Sequence, residues 1–319
     1  MKWAILGAGN IANSFARSFQ NEQAELYAVA SRSLEKAEEF AGKYAIPVSY
    51  GSYEEMLADE AIDAVYIATP HSHHYQQIKL CLEAGKHVFC EKVMVTSMKQ
   101  LDEVVELART KKLYLAEAMT IFHVPLYPKL KRWIKENNVG KVKMIHAPYG
   151  AYKPADSPMY FYQKELAGGA LFDIGTYALT FALEFMSSPP SDIVTLGNLH
   201  ESGVDESSVI VLRNQEQELA TVELSFATNL PHVGVVAFEK GHLEIPNYPR
   251  AKRAVFKNLE GEETIIEVDD EEHAFTHEIN HFTKMVLAKA ENPTLTKTKR
   301  VMEVMDVVRR EWGLVYPFD

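Results

Sequence analysis

The chain opens MKWAILGAGNIANSFARSFQ, and this stretch restricts the fold more than any other. Trp3 to Leu6 is a short apolar run, Gly7-Ala8-Gly9-Asn10-Ile11-Ala12 supplies a GxGxxA turn, and Ile11, Phe15, Ala16 and Phe19 recur at helical spacing. Strand, glycine turn and helix in this order form the first unit of a dinucleotide-binding fold. Gly7 permits the tight turn, Gly9 lets backbone approach a pyrophosphate, and Ala12 is small enough for close helix–strand packing. The helix start at Asn10 and Ile11 then faces the anion. Glycines that merely shape a βα corner are the competing reading. A second apolar strand, Leu26 to Ala30, at the spacing of a βαβ unit favours the cofactor.

The residues after that second strand bear on which dinucleotide is bound. A site for NAD usually places Asp or Glu there to hold the ribose hydroxyls. This chain has Ser31-Arg32-Ser33. A guanidinium and neighbouring hydroxyls bind a 2′-phosphate that a carboxylate would repel, and Arg32 can stack on adenine. NADP(H) is therefore the expected cofactor, with NAD the other option. In the competing reading Arg32 is a solvated loop residue and Ser33 only caps the next helix.

A chain of 319 residues is comfortable for two domains. Its formal net charge of −11 argues against nucleic-acid binding and against docking on anionic membrane. Cys81 and Cys90 stand in no metal or redox spacing. With a strand beginning almost at Met1 and no apolar run read as membrane-spanning, a reduced, cytoplasmic protein is expected.

Through residues 1–119 strands and helices alternate, which predicts a Rossmann-type, doubly wound parallel sheet. Ser52 with Glu55, and Ser97 with Gln100, read as capping boxes. The buried strand Ala61 to Ala68 ends in Thr69-Pro70-His71-Ser72-His73-His74, and a helix is expected from Tyr75 to Ala84. Residues after such a strand face the cofactor crevice, which points to Thr69, Pro70, His71 and His74. The strand Lys86 to Cys90 ends in Glu91-Lys92 at the same edge. Residues 120–319 read differently. One apolar helix, ALFDIGTYALTFALEFM, precedes strands that follow one another, and two helices close the chain, so an α+β domain with an open, mostly antiparallel sheet is expected.

Three side chains stand out for chemistry. Lys92 at a strand end can hydrogen-bond a substrate hydroxyl and stabilise an alkoxide, or is an ordinary solvated lysine. Asp173 and Tyr177 sit i and i+4 on an otherwise apolar helix. A Tyr hydroxyl beside a Lys ammonium is a general acid/base, while the plainer alternative is a pair satisfied by backbone. His71, His73 and His74 invite a metal reading, but no acidic or Cys partner is near in sequence, so no metal is expected.

Together GAGNIA, ATPHSHH, AGKHVFCEK, AGGALFDIGTY and the closing EWGLVYP resemble the Gfo/Idh/MocA family of oxidoreductases over essentially the whole chain, and within it the branch containing dihydrodiol dehydrogenases. The resemblance implies an NAD(P)-binding Rossmann domain and a C-terminal domain whose open sheet often forms oligomer interfaces, here a homodimer or homotetramer. The family's Glu-Lys-Pro lysine falls on Lys92 and its Asp-x-Gly-x-His/Tyr motif on Asp173, Gly175 and Tyr177, implying Tyr177 as the proton donor or acceptor. His74 falls on the histidine that follows the fourth strand in many members. The family's Pro after the lysine is Val93 here. A cis bond before a non-proline residue costs about 3 kcal/mol, so a trans bond or a local rearrangement is expected. Dihydrodiol dehydrogenases carry a Trp and an Arg where this chain reads Thr120-Ile121-Phe122-His123.

The expected function is an NADP(H)-dependent dehydrogenase acting on a secondary alcohol or carbonyl of a small polyol, sugar or cyclic diol, through Lys92, Asp173 and Tyr177. The alternatives are a non-catalytic sensor of the same fold, and an enzyme that holds NAD tightly for elimination or hydrolysis.

Overall fold

The computed structural model describes residues 1–155, 159–270 and 272–319. The chain divides into two compact units, Met1–Met119 with Glu272–Leu295, and Thr120–Glu271 with Thr296–Asp319.

The first unit alternates strictly: β1 (Lys2–Leu6), α1 (Asn10–Arg17), β2 (Glu25–Ala30), α2 (Leu34–Tyr44), β3 (Val48–Tyr50), α3 (Tyr53–Ala58), β4 (Ala64–Ile67), α4 (His71–Glu83), β5 (His87–Glu91), α5 (Met98–Lys111) and β6 (Leu115–Ala118). The strands form one sheet in the order β3-β2-β1-β4-β5-β6, with every pairing parallel. The order reverses between β1 and β4, which opens a crevice at their carboxyl ends. Local signals start the helices as expected: Ser33 accepts from Lys36 N, Ser52 from Glu55 N and Ser97 from Gln100 N. Helix α4 begins at His71 rather than Tyr75. The buried imidazoles of His71 and His74 stand on the same face as Gln77, Ile78, Cys81 and Leu82, where a periodicity read from apolar residues alone misses them.

Trp3 is the centre of this core. Its ring lies 5.7 Å from Phe15, 6.0 Å from Phe89 and 5.2 Å from Phe282, and its indole N–H donates to Thr283 Oγ1 at 3.2 Å. Phe282 and Thr283 belong to the segment by which the chain rejoins this unit.

The second unit contains α6 (Leu126–Asn137), β7 (Val142–Gly150), a π-helical turn (Leu171–Gly175), α7 (Thr176–Phe185), then β8 (Pro190–Leu199), β9 (Asp205–Asn214), β10 (Leu219–Ser225), β11 (Val233–Phe238), β12 (Gly241–Pro246), β13 (Arg253–Asn258) and β14 (Glu263–Glu267). These strands order as β14-β13-β12-β11-β7-β10-β9-β8, antiparallel except for β7 beside β10. The mostly antiparallel sheet is as expected, and α7 packs on β7 and β10. Of the closing helices, α8 (Ala274–Leu287) lies in the first unit, and α9 (Thr294–Trp312) lies almost wholly in the second.

Two expectations about the second unit need correction. The single helix read over residues 170–186 starts with the wider π-turn. Gly175 sits there so close to β10 that a Cβ would meet Leu224 Cδ1 at 2.8 Å. The stretch Lys164–Phe185 is also long and apolar enough to cross a bilayer by length and composition, contrary to the reading of the sequence; 94% of its window is buried inside the fold, as in the core helix of a globular domain.

Register places Val194, Val211, Thr221, His146, Val235, Glu244, Val255 and Ile265 in one row across the sheet, on the face away from α7. This face is open and mixed: Val194 is 67% and Leu196 80% exposed, with Met144, Val209 and Ile265 exposed too, while His146 with Glu223 and Lys257 with Glu244 and Glu263 lie on it as ion pairs.

Candidate functional site

In the first unit the chain builds a cradle at the β1/β4 crevice. Gly7 has φ +103°, and a Cβ there would meet Thr69 Cγ2 at 2.9 Å and Ala68 O at 3.0 Å, so only glycine fits. Gly9 is the N-cap of α1 and offers no side chain to its free N–H groups, and the first turn, with Asn10 and Ile11, carries no acidic residue. Helix α4 is likewise uncapped behind Pro70 and has no acidic residue in its first turn. Two uncapped helix starts at a switch point fit the phosphates of a dinucleotide.

Ser31 and Arg32 follow β2. Arg32 is exposed, and no hydrogen bond or ion pair engages it among the described residues. Its charge reaches Tyr53 and His73: burial holds the His73 pKa below the usual histidine value, and Arg32 adds to the effect. Ser33 acts as the cap of α2.

The exit of β5 is tied down from several sides. Glu91 is buried and accepts from the Tyr66 hydroxyl, and the Lys92 N–H lies 3.3 Å from Glu91 Oε2. The Lys92–Val93 bond is cis, contrary to the expectation of a trans bond. Its surroundings specify the path: Val93 O lies 2.8 Å from His74 Nδ1, and Met94 N–H donates to buried Glu117 at 2.9 Å. Sequence inspection did not single out Glu117.

His74 is a brace between two strand exits. It is fully buried, and its Nε2 lies 2.9 Å from Thr69 O. Burial pushes its pKa down to about 4, against the two backbone carbonyls that favour the charged form. At neutral pH the ring therefore carries a single N–H, which donates to only one of these two carbonyls at a time. His71, also buried, lies with its ring 5.8 Å from His74. Among the described residues no three His, Cys, Asp or Glu side chains gather to hold a metal ion.

The depressed pKa has a measurable consequence. Between about pH 6.5 and pH 4 the unfolded chain holds a proton on His74 that the folded chain does not, so stability falls as pH falls through this window. The loss reaches about 3 kcal/mol at the acid end. Urea unfolding at pH 7 and pH 5 should show His74→Asn losing less stability between the two than the native protein. An identical loss in both would refute the assignment.

The second unit holds the other candidate residues. Asp173 and Tyr177, each 7% exposed, lie in the π-turn and the first turn of α7. The Tyr160 hydroxyl donates to Asp173 Oδ1 at 2.8 Å. Tyr177 lies 5.9 Å from the Tyr149 ring, and the Arg250 guanidinium stands 5.7 Å from the Tyr177 ring centre. Tyr149 in turn packs 4.1 Å from the His232 ring. The start of the π-turn is held by Asp205: Leu171 N–H donates to its Oδ2 at 2.7 Å, and burial pushes its pKa up to about 7. Tyr160 falls in the aromatic loop Met159 to Tyr162 that the sequence makes conspicuous. Tyr149, Asp205, His232 and Arg250 come from separate elements and carry no local signal.

A Rossmann sheet with a glycine cradle at its switch point, joined to an α+β unit, defines the class as nicotinamide-dinucleotide-binding oxidoreductases. Residues 1–119 match the model of the oxidoreductase family with an NAD-binding Rossmann fold, and residues 127–244 match the GFO/IDH/MocA C-terminal domain. The chain is 32% identical to a trans-1,2-dihydrobenzene-1,2-diol dehydrogenase from Danio rerio, over 100% of this chain and 99% of that one. It is 29% identical to a scyllo-inositol 2-dehydrogenase (NADP(+)) from Bacillus subtilis at the same coverage. A 3-ketoreductase from Actinomadura kijaniata, solved with NADP and TDP-benzene, superposes with a TM-score of 0.87 at 22% identity, covering 97% of each chain. The chain belongs to the Gfo/Idh/MocA family of oxidoreductases.

Proposed function

We propose that this oxidoreductase uses NADP(H) and acts on a secondary alcohol or carbonyl of a small polyol, sugar or cyclic diol. The observation that carries the cofactor choice is Arg32, an exposed guanidinium without an ion-pair partner, standing where an NAD site has a carboxylate. The named substrates of the relatives, a dihydrobenzene diol and an inositol, both present ring-borne secondary alcohols.

When bound, the nicotinamide supplies or accepts the hydride. Gly7, Gly9 and the uncapped start of α1 hold the pyrophosphate, and Arg32 with Ser31 holds the 2′-phosphate. Tyr177 exchanges the proton of the reacting oxygen, Lys92 stabilises the developing alkoxide, and Asp173, fixed by Tyr160, orients the substrate.

Exposed Val194, Leu196 and Val209, grouped on the β8–β9 end of the open sheet face, support assembly with a second copy, since grouped apolar side chains on a surface mark interaction sites. The cysteines, both buried and unpaired, suit the reduced cytoplasm.

Titration with NADPH and NADH, followed by nicotinamide fluorescence, tests the cofactor. Arg32→Ala should weaken NADPH by about tenfold and leave NADH nearly unchanged, because a charge-assisted contact to the 2′-phosphate is lost. Equal effects on both would refute the NADP(H) preference. Absence of binding would refute the dehydrogenase reading altogether.

A further inference from the structure

We infer that the second unit carries a separate binding site for a small phosphate-bearing ligand, in a cavity of about 200 Å³ between α6, α7 and α9. The wall is partly apolar, with Leu183 and Met186, and the polar lining is Lys131, Thr180, Glu184, Lys297 and Arg300.

The cavity holds cations in place and, among the described residues, leaves two of its polar lining groups without partners. The Glu184 side chain, only 8% exposed, receives both Lys131 Nζ and Lys297 Nζ, the latter at 3.0 Å. Lys297 is also steadied over the Phe122 ring at 5.1 Å. These contacts hold two ammonium groups at the cavity. Arg300 stands one helical turn beyond Lys297 on the same side of α9. It is half-buried and has no hydrogen bond or ion pair among the described residues. Thr180 lies one turn before Glu184 on α7; it is 2% exposed, and its Oγ1 has no hydrogen-bond partner.

A buried hydroxyl and a half-buried guanidinium are costly to leave unpaired. Three cations against one carboxylate leave the cavity with a surplus of two positive charges. A phosphate matches that surplus, accepts from the guanidinium fork and from the Thr180 hydroxyl, and leaves the Glu184–lysine contacts intact. The volume accommodates a phosphate with a few attached carbon atoms, and the apolar wall suits those carbons. The source is a phosphorylated metabolite or free phosphate.

Calorimetric titration of the full chain with inorganic phosphate, and separately with glycerol phosphate, tests the site. Arg32→Ala provides a background in which the expected contact to the cofactor 2′-phosphate is removed. Binding should persist in Arg32→Ala, weaken at least about tenfold in Arg300→Ala, weaken in Thr180→Val and be retained in Thr180→Ser. Tighter binding of glycerol phosphate would identify a phosphorylated metabolite, and tighter binding of inorganic phosphate the free ion; either supports the site. Binding abolished by Arg32→Ala, binding unchanged in Arg300→Ala, or an effect reproduced by chloride at equal ionic strength would each overturn it.

Discussion

Tyr177→Phe should lower kcat by about 10²- to 10⁴-fold, the usual range for a lost general acid/base, with NADPH affinity changed by no more than about twofold. The substitution removes one oxygen from a ring that is 7% exposed and packed beside Tyr149 and Arg250, so the ring keeps these contacts. By the proposed roles, the chemistry loses its proton carrier. Lys92→Ala should produce a comparable fall, because an alkoxide without its ammonium forms at higher energy. The double variant should be scarcely worse than the poorer single one, as residues acting on one proton transfer are not additive. Steady-state rates with NADPH and a panel of cyclic ketones would measure this. Full activity in Tyr177→Phe would remove the residue from the mechanism, and strictly multiplicative losses would mean that the two side chains serve separate steps.

The second large effect concerns assembly. Size-exclusion chromatography with light scattering should show the native protein as at least a dimer and Leu196→Asp as a monomer at the same micromolar concentration. Leu196 is 80% exposed within the single chain, so a carboxylate there leaves the isolated fold nearly untouched. In a face-to-face pair, however, the carboxylate would be buried without a partner. Such a charge costs several kcal/mol, a loss of about 10²- to 10³-fold in association. A two-fold axis would impose the penalty from both sides. A native monomer, or a mutant that remains associated, would assign the exposed face to something other than self-assembly.

Much of this architecture was legible in the chain because its signals are local. The β1–α1 turn needs glycine at Gly7 for a steric reason, and the serines before α2, α3 and α5 satisfy backbone N–H groups three residues ahead. Local signals failed where polar side chains occupy buried positions. His71 and His74 hide the true start of α4, since apolar periodicity does not register a buried imidazole. The π-turn under Asp173 has no signature in residue spacing, since its wider pitch follows from contacts with β10 and Asp205 far along the chain. The same holds at Lys92, where the peptide geometry is set by partners at His74 and Glu117. Lys92, Asp173 and Tyr177 stand out as candidates by motif, whereas Tyr149, His232 and Arg250 come near Tyr177 only through strand pairing and loop return.

The position of Trp3 has a consequence for biosynthesis. Its ring is packed by Phe282, and its indole is hydrogen-bonded by Thr283, so residues made at the start of translation wait for residues made near the end. A nascent chain that has not yet delivered α8 from the ribosome has Trp3, Phe15 and Phe89 without the helix that shields them. The nucleotide-binding unit, first in sequence, is therefore completed late in synthesis, and its core stays uncovered until α8 has left the ribosome.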